Sequence, residues 1–89
     1  MKAILTVVGK DRVGIIAQVS TQLANLQINI LDISQTVMQG YFTMMMVVDT
    51  AAAPMPFADM AVALEEKGKE MGMSIRLQRE DIFEAMHRV

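Results

Sequence analysis

The chain has 89 residues, 53% of them apolar and 20% charged, with a net charge of −2. That balance suits one folded domain over residues 1–89 with one modest core, and it excludes a disordered chain. It gives no electrostatic pull toward nucleic acid or anionic membranes, and the absence of cysteine excludes disulfides, thiol redox chemistry and thiolate metal sites.

Residues 2–9 read as a first strand, with Ile4, Thr6 and Val8 on one face and Leu5 and Val7 on the other. Both faces are largely apolar, so this strand is expected at the centre of a sheet. The segment is too short for a signal-peptide core or a membrane span, which makes the cytoplasm the expected location. The run Gly9-Lys10-Asp11-Arg12-Val13-Gly14 turns the strand into a helix over residues 12–27, and Asp11 is expected to cap it. Ile15, Val19, Leu23 and Leu26 form the helix's apolar stripe. Its flank of Gln18, Ser20, Thr21, Gln22, Ala24 and Asn25 is uncharged and tolerates a neighbouring subunit.

Residues 28–38 read as a second strand in regular alternation, Asn29, Leu31, Ile33, Gln35 and Val37 against Ile28, Ile30, Asp32, Ser34 and Thr36. Its polar second half suits an edge. Gln39-Gly40 signals a hairpin into a third strand over residues 41–49, apolar on both faces and so expected to need cover from the C-terminal segment or another subunit. A linker with Pro54 and Pro56 follows, with Pro56 expected at the first helical position. Residues 57–71 read as a second helix. Phe57, Met60, Ala61, Leu64 and Met71 form its buried stripe, Glu65, Glu66, Lys67, Lys69 and Glu70 its wet face, and Gly72 its stop. Residues 73–80 read as a fourth strand, and about 81–89 as a short C-terminal helix capped by Asp81. The ten methionines are read as core and interface filler.

The order β-α-β-β-α-β, with right-handed crossovers, predicts a ferredoxin-like α+β sandwich. Its four-stranded antiparallel sheet has the order 4-1-3-2 and carries both helices on one face.

Few residues offer chemistry. Glu65, Glu66 and Glu70 read as a solvated helix face, with no apolar pocket implied to make an acid–base pair. His87 is alone, so neither a metal site nor a Ser-His-Asp arrangement is expected. No cofactor is implied. Tyr41 and Phe42 are aromatics on a central strand, as RNA-binding modules of this fold carry, but the basic surface such modules need is missing. The strand-to-helix loop is the remaining feature. Its backbone N–H groups suit an anionic or zwitterionic small molecule. Asn29 begins strand 2 at the opposite pole from this loop. A twofold mate laid antiparallel along strand 2 would bring its own Asn29 near the loop, giving a site shared between subunits.

Asp11-Arg12-Val13-Gly14-Ile15-Ile16, with Ala17 and Leu26-Gln27-Ile28-Asn29-Ile30, resembles the loop and second-strand start of ACT domains. The similarity extends over nearly the whole chain. It is closer to stand-alone ACT proteins of unassigned function through Val7-Val8-Gly9-Lys10-Asp11, Asp32-Ile33-Ser34-Gln35-Thr36, Tyr41-Phe42-Thr43-Met44 and Ile82-Phe83-Glu84-Ala85-Met86. The resemblance implies a non-enzymatic regulatory module, a homodimer or higher homo-oligomer, that binds a small amino acid. It implies ligand contacts from Asp11, Val13, Gly14 and Ile15 of one subunit and Asn29 and Ile30 of another. Asp11 or Asn29 would hold the ammonium or side chain, and N–H groups near Gly14 the carboxylate. Val13 stands where the family's loop has proline, which frees the backbone and adds an N–H. The alternatives are a module of this fold that docks a protein partner without a small ligand, and a small enzyme, which the lack of an acid–base pair disfavours.

Overall fold

The computed structural model describes residues 1–81, so the expected C-terminal helix, and any cover it gives the sheet, lies outside the described residues. The elements are β1 (Lys2–Lys10), α1 (Ile15–Asn25), β2 (Asn29–Met38), β3 (Tyr41–Asp49), α2 (Phe57–Met71) and β4 (Ser74–Arg79). They form one four-stranded sheet of order β2-β3-β1-β4 in which every neighbouring pair is antiparallel. This is the ferredoxin-like arrangement expected from the crossovers, with both helices on one sheet face.

Strand alternation decides which residues meet the helices. Ala3, Leu5 and Val7 of β1 pair with Val48, Met46 and Met44 of β3, and all six are fully buried. The apolar stripes of α1 (Ile15, Val19, Leu23) and α2 (Met60, Leu64, Met71) close over them, with Ile75 and Leu77 of β4. Met44, Met46, Met60, Met71 and Met73 all sit in this core, as adaptable side chains filling gaps between two helices and a twisted sheet. The opposite faces of β1 and β3 carry Ile4, Thr6 and Val8 beside Tyr41, Thr43, Met45 and Val47.

The helix ends differ from expectation at three places, one of them the end of α1, at Asn25 in place of residue 27. α1 starts at Ile15, not residue 12, and its N-cap is Gly14 at φ 90°, with no side chain bonded to the helix start. Asp11 therefore lies three residues before the cap and does not serve as one. Pro56 is the N-cap of α2, just before the first helical position, and its carbonyl accepts the N–H groups of Asp59 (3.1 Å) and Met60 (3.2 Å). Gly72 ends α2 as expected, at φ 72°.

β2 departs from regular alternation. Asn29 and Ile30 pair with Asp49 and Val48, but Asp32 pairs with Val47, which leaves Leu31 as the extra residue of a β-bulge. Past the bulge Ile33, Gln35 and Val37 lie opposite the core residues Met46, Met44 and Phe42 and so share their helix side. Ile28 and Ile30 share that side before it, so the expected grouping of Ile28 and Ile30 with Asp32, Ser34 and Thr36 is incorrect. The hairpin into β3 is a two-residue turn, Gln39 at φ 52° and Gly40 at φ 80°, the left-handed pair that matches strand twist.

Candidate functional site

β3 lies between β2 and β1, so the end of β1 emerges beside the β2–β3 hairpin. There the Asp11 N–H donates to the Gly40 carbonyl at 2.8 Å and fastens the loop to the turn. Arg12 ties the same loop to the other helix. Its guanidinium donates to the Met71 carbonyl at the end of α2 and to Gln18 Oε1, both at 3.1 Å. A cation on the carbonyl end of a helix is favourably placed against the helix dipole. The loop between Lys10 and Ile15 is thus held at both sides, by a strand turn and by a helix end.

These contacts leave the start of α1 open. The first N–H groups of a helix have no partner within it. Gln18 N–H bonds back to the Gly14 carbonyl at 3.0 Å, while Ile15, Ile16 and Ala17 carry no cap and the first turn has no acidic residue. Beside this start lies a cleft of ≈380 Å3 lined by Asp11, Arg12, Gly14, Ile15, Ile16 and Ala17 from the loop and helix and by Gln35, Val37 and Phe42 from the strands.

The expected site residues divide accordingly. Asp11, Gly14 and Ile15 line the cleft. Val13 is 99% exposed and is not part of its lining. Asn29 is exposed at the far end of β2, paired with Asp49, and Ile30 is half-buried against the core. Nine residue steps of about 3.3 Å separate Asn29 from Met38, on the order of 30 Å, so Asn29 and its own loop stand at opposite poles. The cleft also takes in Arg12, Ile16, Ala17, Gln35, Val37 and Phe42, which the sequence reading did not single out as site residues. The strand order carried a signal for the last three, since it sets the hairpin strands against the end of β1.

At the Asn29 pole the Asp49 carboxylate accepts the Ala51 N–H at 2.9 Å and the chain's terminal ammonium at 3.4 Å. The backbone bond foremost, then the ammonium, holds its pKa below the ordinary value of 3.8. Phe42 is buried, so of the two aromatics at the start of β3 only Tyr41 is on the outer sheet surface, beside Lys10. Among the described residues, no group of three or more His, Cys, Asp and Glu is placed to hold a metal ion, and no helix is long and apolar enough to cross a membrane.

The ACT domain model matches residues 2–78. A UPF0237 protein of Clostridium acetobutylicum is 57% identical over 89 residues, covering the whole of both chains. Among solved structures, an ACT domain protein from Streptococcus pneumoniae is 48% identical, covers 98% of each chain and superposes with a TM-score of 0.83. The regulatory subunit of aspartate kinase from Thermus thermophilus, in its ligand-free form, is 26% identical, with a TM-score of 0.67 over 86% of this chain and 50% of that one. Domains of this family are generally regulatory modules that bind small molecules. The chain belongs to the UPF0237 group of ACT domain proteins.

Proposed function

We propose that the chain is a non-enzymatic regulatory module that binds a small amino acid as a homo-oligomer, at a site shared between the Asp11–Ile15 loop of one subunit and Asn29 and Ile30 of another. The observation that carries this reading is the uncapped start of α1 beside a cleft that also holds Asp11. Free N–H groups and the positive end of the helix dipole favour a carboxylate. A side-chain carboxylate lining the same cleft, that of Asp11, favours an ammonium. The two groups together match a zwitterion better than a simple anion. That a neighbouring fold is the regulatory subunit of aspartate kinase supports a regulatory role of the same kind.

The completing half of the site comes from symmetry. β2 is an edge strand, and a twofold mate running antiparallel along it carries its own Asn29 toward this chain's Met38, the pole at which the loop lies. The ligand regulates only if it binds one subunit arrangement more tightly than another.

A panel of the common amino acids, at millimolar concentration, tests the reading by thermal shift and calorimetry. At least one is expected to raise Tm, as any ligand selective for the folded state does, and Asp11→Ala is expected to weaken that ligand about tenfold or more. If no amino acid raises Tm and Asp11→Ala with Asn29→Ala changes nothing, a module that docks a protein partner through the same surfaces takes its place.

A further inference from the structure

If the loop takes the ligand's ammonium and carboxylate, its side chain falls to the rest of the cleft, together with Asn29 and Ile30 of a second copy. The wall facing α1 is the helix side of β2. Gln35 and Val37 stand on that side because they pair with Met44 and Phe42, whose side chains are buried in the core. The bulge at Leu31 allows this. With regular alternation from Ile30 onward, Asp32, Ser34 and Thr36 would face the helices instead.

α1 covers only the first part of this wall. Ile30 is half-buried against the core, whereas Ile33 and Val37 are 42% and 54% exposed. The uncovered part is the one beside the loop. Its apolar surfaces come from Ile15, Ile16, Val37 and Phe42, and its charges, Asp11 and Arg12, belong to the loop. Arg12 already donates to the Met71 carbonyl and to Gln18. The strand wall itself offers one polar side chain, Gln35, and among the described residues no hydrogen bond holds its amide.

We infer that Gln35 is the specificity-determining residue of this cleft, selecting an amino acid whose side chain ends in an amide. This assignment rests on the amino-acid reading of the cleft and adds which side chain it takes. A carboxamide both donates and accepts, so a second amide can satisfy it at both atoms. An aliphatic side chain of the same size would cover the Gln35 amide and return no hydrogen bond. A carboxylate side chain only accepts, so it would leave the Gln35 carbonyl oxygen without a donor. The neighbouring residues Ser34 and Thr36 point to the other sheet face and take no part.

Asparagine and leucine have nearly the same shape, which makes them the deciding pair. Calorimetry on the full chain would compare asparagine, glutamine and leucine against wild type, Gln35→Leu and Thr36→Val. Wild type is expected to prefer an amide-bearing ligand to leucine by about tenfold or more, since leucine covers the Gln35 amide and returns none of its hydrogen bonds. Gln35→Leu should remove or reverse that preference, and Thr36→Val should retain it. Leucine binding wild type as tightly as asparagine and glutamine, or an unchanged preference in Gln35→Leu, overturns the role of Gln35 and leaves the site standing. No binding of any amino acid to wild type overturns both.

Discussion

Gly14 carries two demands at once. It is the N-cap of α1 and holds φ 90°, a region closed to most side chains, yet a Cβ placed there would meet nothing within 4 Å. Gly14→Ala is therefore expected to cost about 1 kcal/mol of stability through backbone strain alone. It should also disturb the cleft, because the strain is relieved by moving the loop. Gly68 is the opposite case. Its backbone is ordinary for a helix, but a Cβ would stand 2.8 Å from the Met73 carbonyl and 2.9 Å from Ile75 Cγ1, between α2 and β4. Backbone and a β-branched core residue yield poorly, so Gly68→Ala is expected to cost about 2–3 kcal/mol, measured by denaturant midpoint, without touching ligand binding. The helical spacing of α2 places Gly68 on the buried stripe four residues after Leu64, so this close approach was within reach of the sequence. The cap was less so. An Asp near a helix start signals a cap, but which residue fills that position depends on where the chain leaves β1, and the bond from Asp11 to Gly40 decides it. Asp49 gives the residue-scale pH prediction. Its folded pKa is depressed, so its contribution is present above the unfolded value, near 3.8, and is lost as pH falls through the lower folded value. The Tm difference between wild type and Asp49→Asn should then be small, constant from pH 5 to 7, and shrink below the ordinary carboxylate range.

At the scale of the element, the strongly periodic pieces were legible and the irregular one was not. α2 begins and ends as its stripe and its Gly72 indicate, and the buried positions of α1 are those of its 3.6-residue repeat. β2 differs because its polar and apolar residues mix on both faces, so the pattern alone does not announce a bulge. Asn29 to Val37 at alternate positions looked regular, although the ladder with β3 omits Leu31. A physical consequence distinguishes the bulge from a slipped register. Ile30 and Asp32 pair with the adjacent residues Val48 and Val47, so removing Leu31 joins two halves that already face their proper sides. Deletion of Leu31 is expected to retain the fold and a cooperative transition, with Gln35 still on the helix side. Deleting Ser34 instead either exchanges the faces of everything on one side of the cut or straightens the bulge and turns Asp32 to the helix side in place of Ile33, and both are expected to lower Tm more than the Leu31 deletion does. Comparing the two deletions by circular dichroism melting checks the register directly.

For the whole molecule, the strand order followed from handed crossovers, and with it the separation of the loop from Asn29. What the order alone does not supply is the difference between the two sheet edges. β4 is six residues long and carries Arg76 and Arg79, both exposed. β2 is ten residues long, and Asp32 is its only charged residue. Short, charged edges resist pairing with another chain, while long edges without lysine or proline invite it. Association through β2 is expected on this ground, with the Leu31 bulge interrupting only part of the edge, and the shared site requires it. In an antiparallel twofold pair the middle of the strand meets its own copy, so Ile33, at the centre of β2, approaches its mate. Ile33→Lys would set two like charges together there, and the residue is already 42% exposed, so the fold should tolerate it. Light scattering at micromolar concentration is expected to give a dimer or larger for wild type and a monomer for Ile33→Lys. Calorimetry of the variant should then show the amino-acid ligand weakened, because Asn29 of a second copy no longer reaches the loop. An Ile33→Lys chain that still assembles as wild type does would place the contact between subunits elsewhere than β2. A monomeric one that binds the ligand with unchanged affinity would place the whole site within a single chain, on Asp11, Gly14 and Gln35.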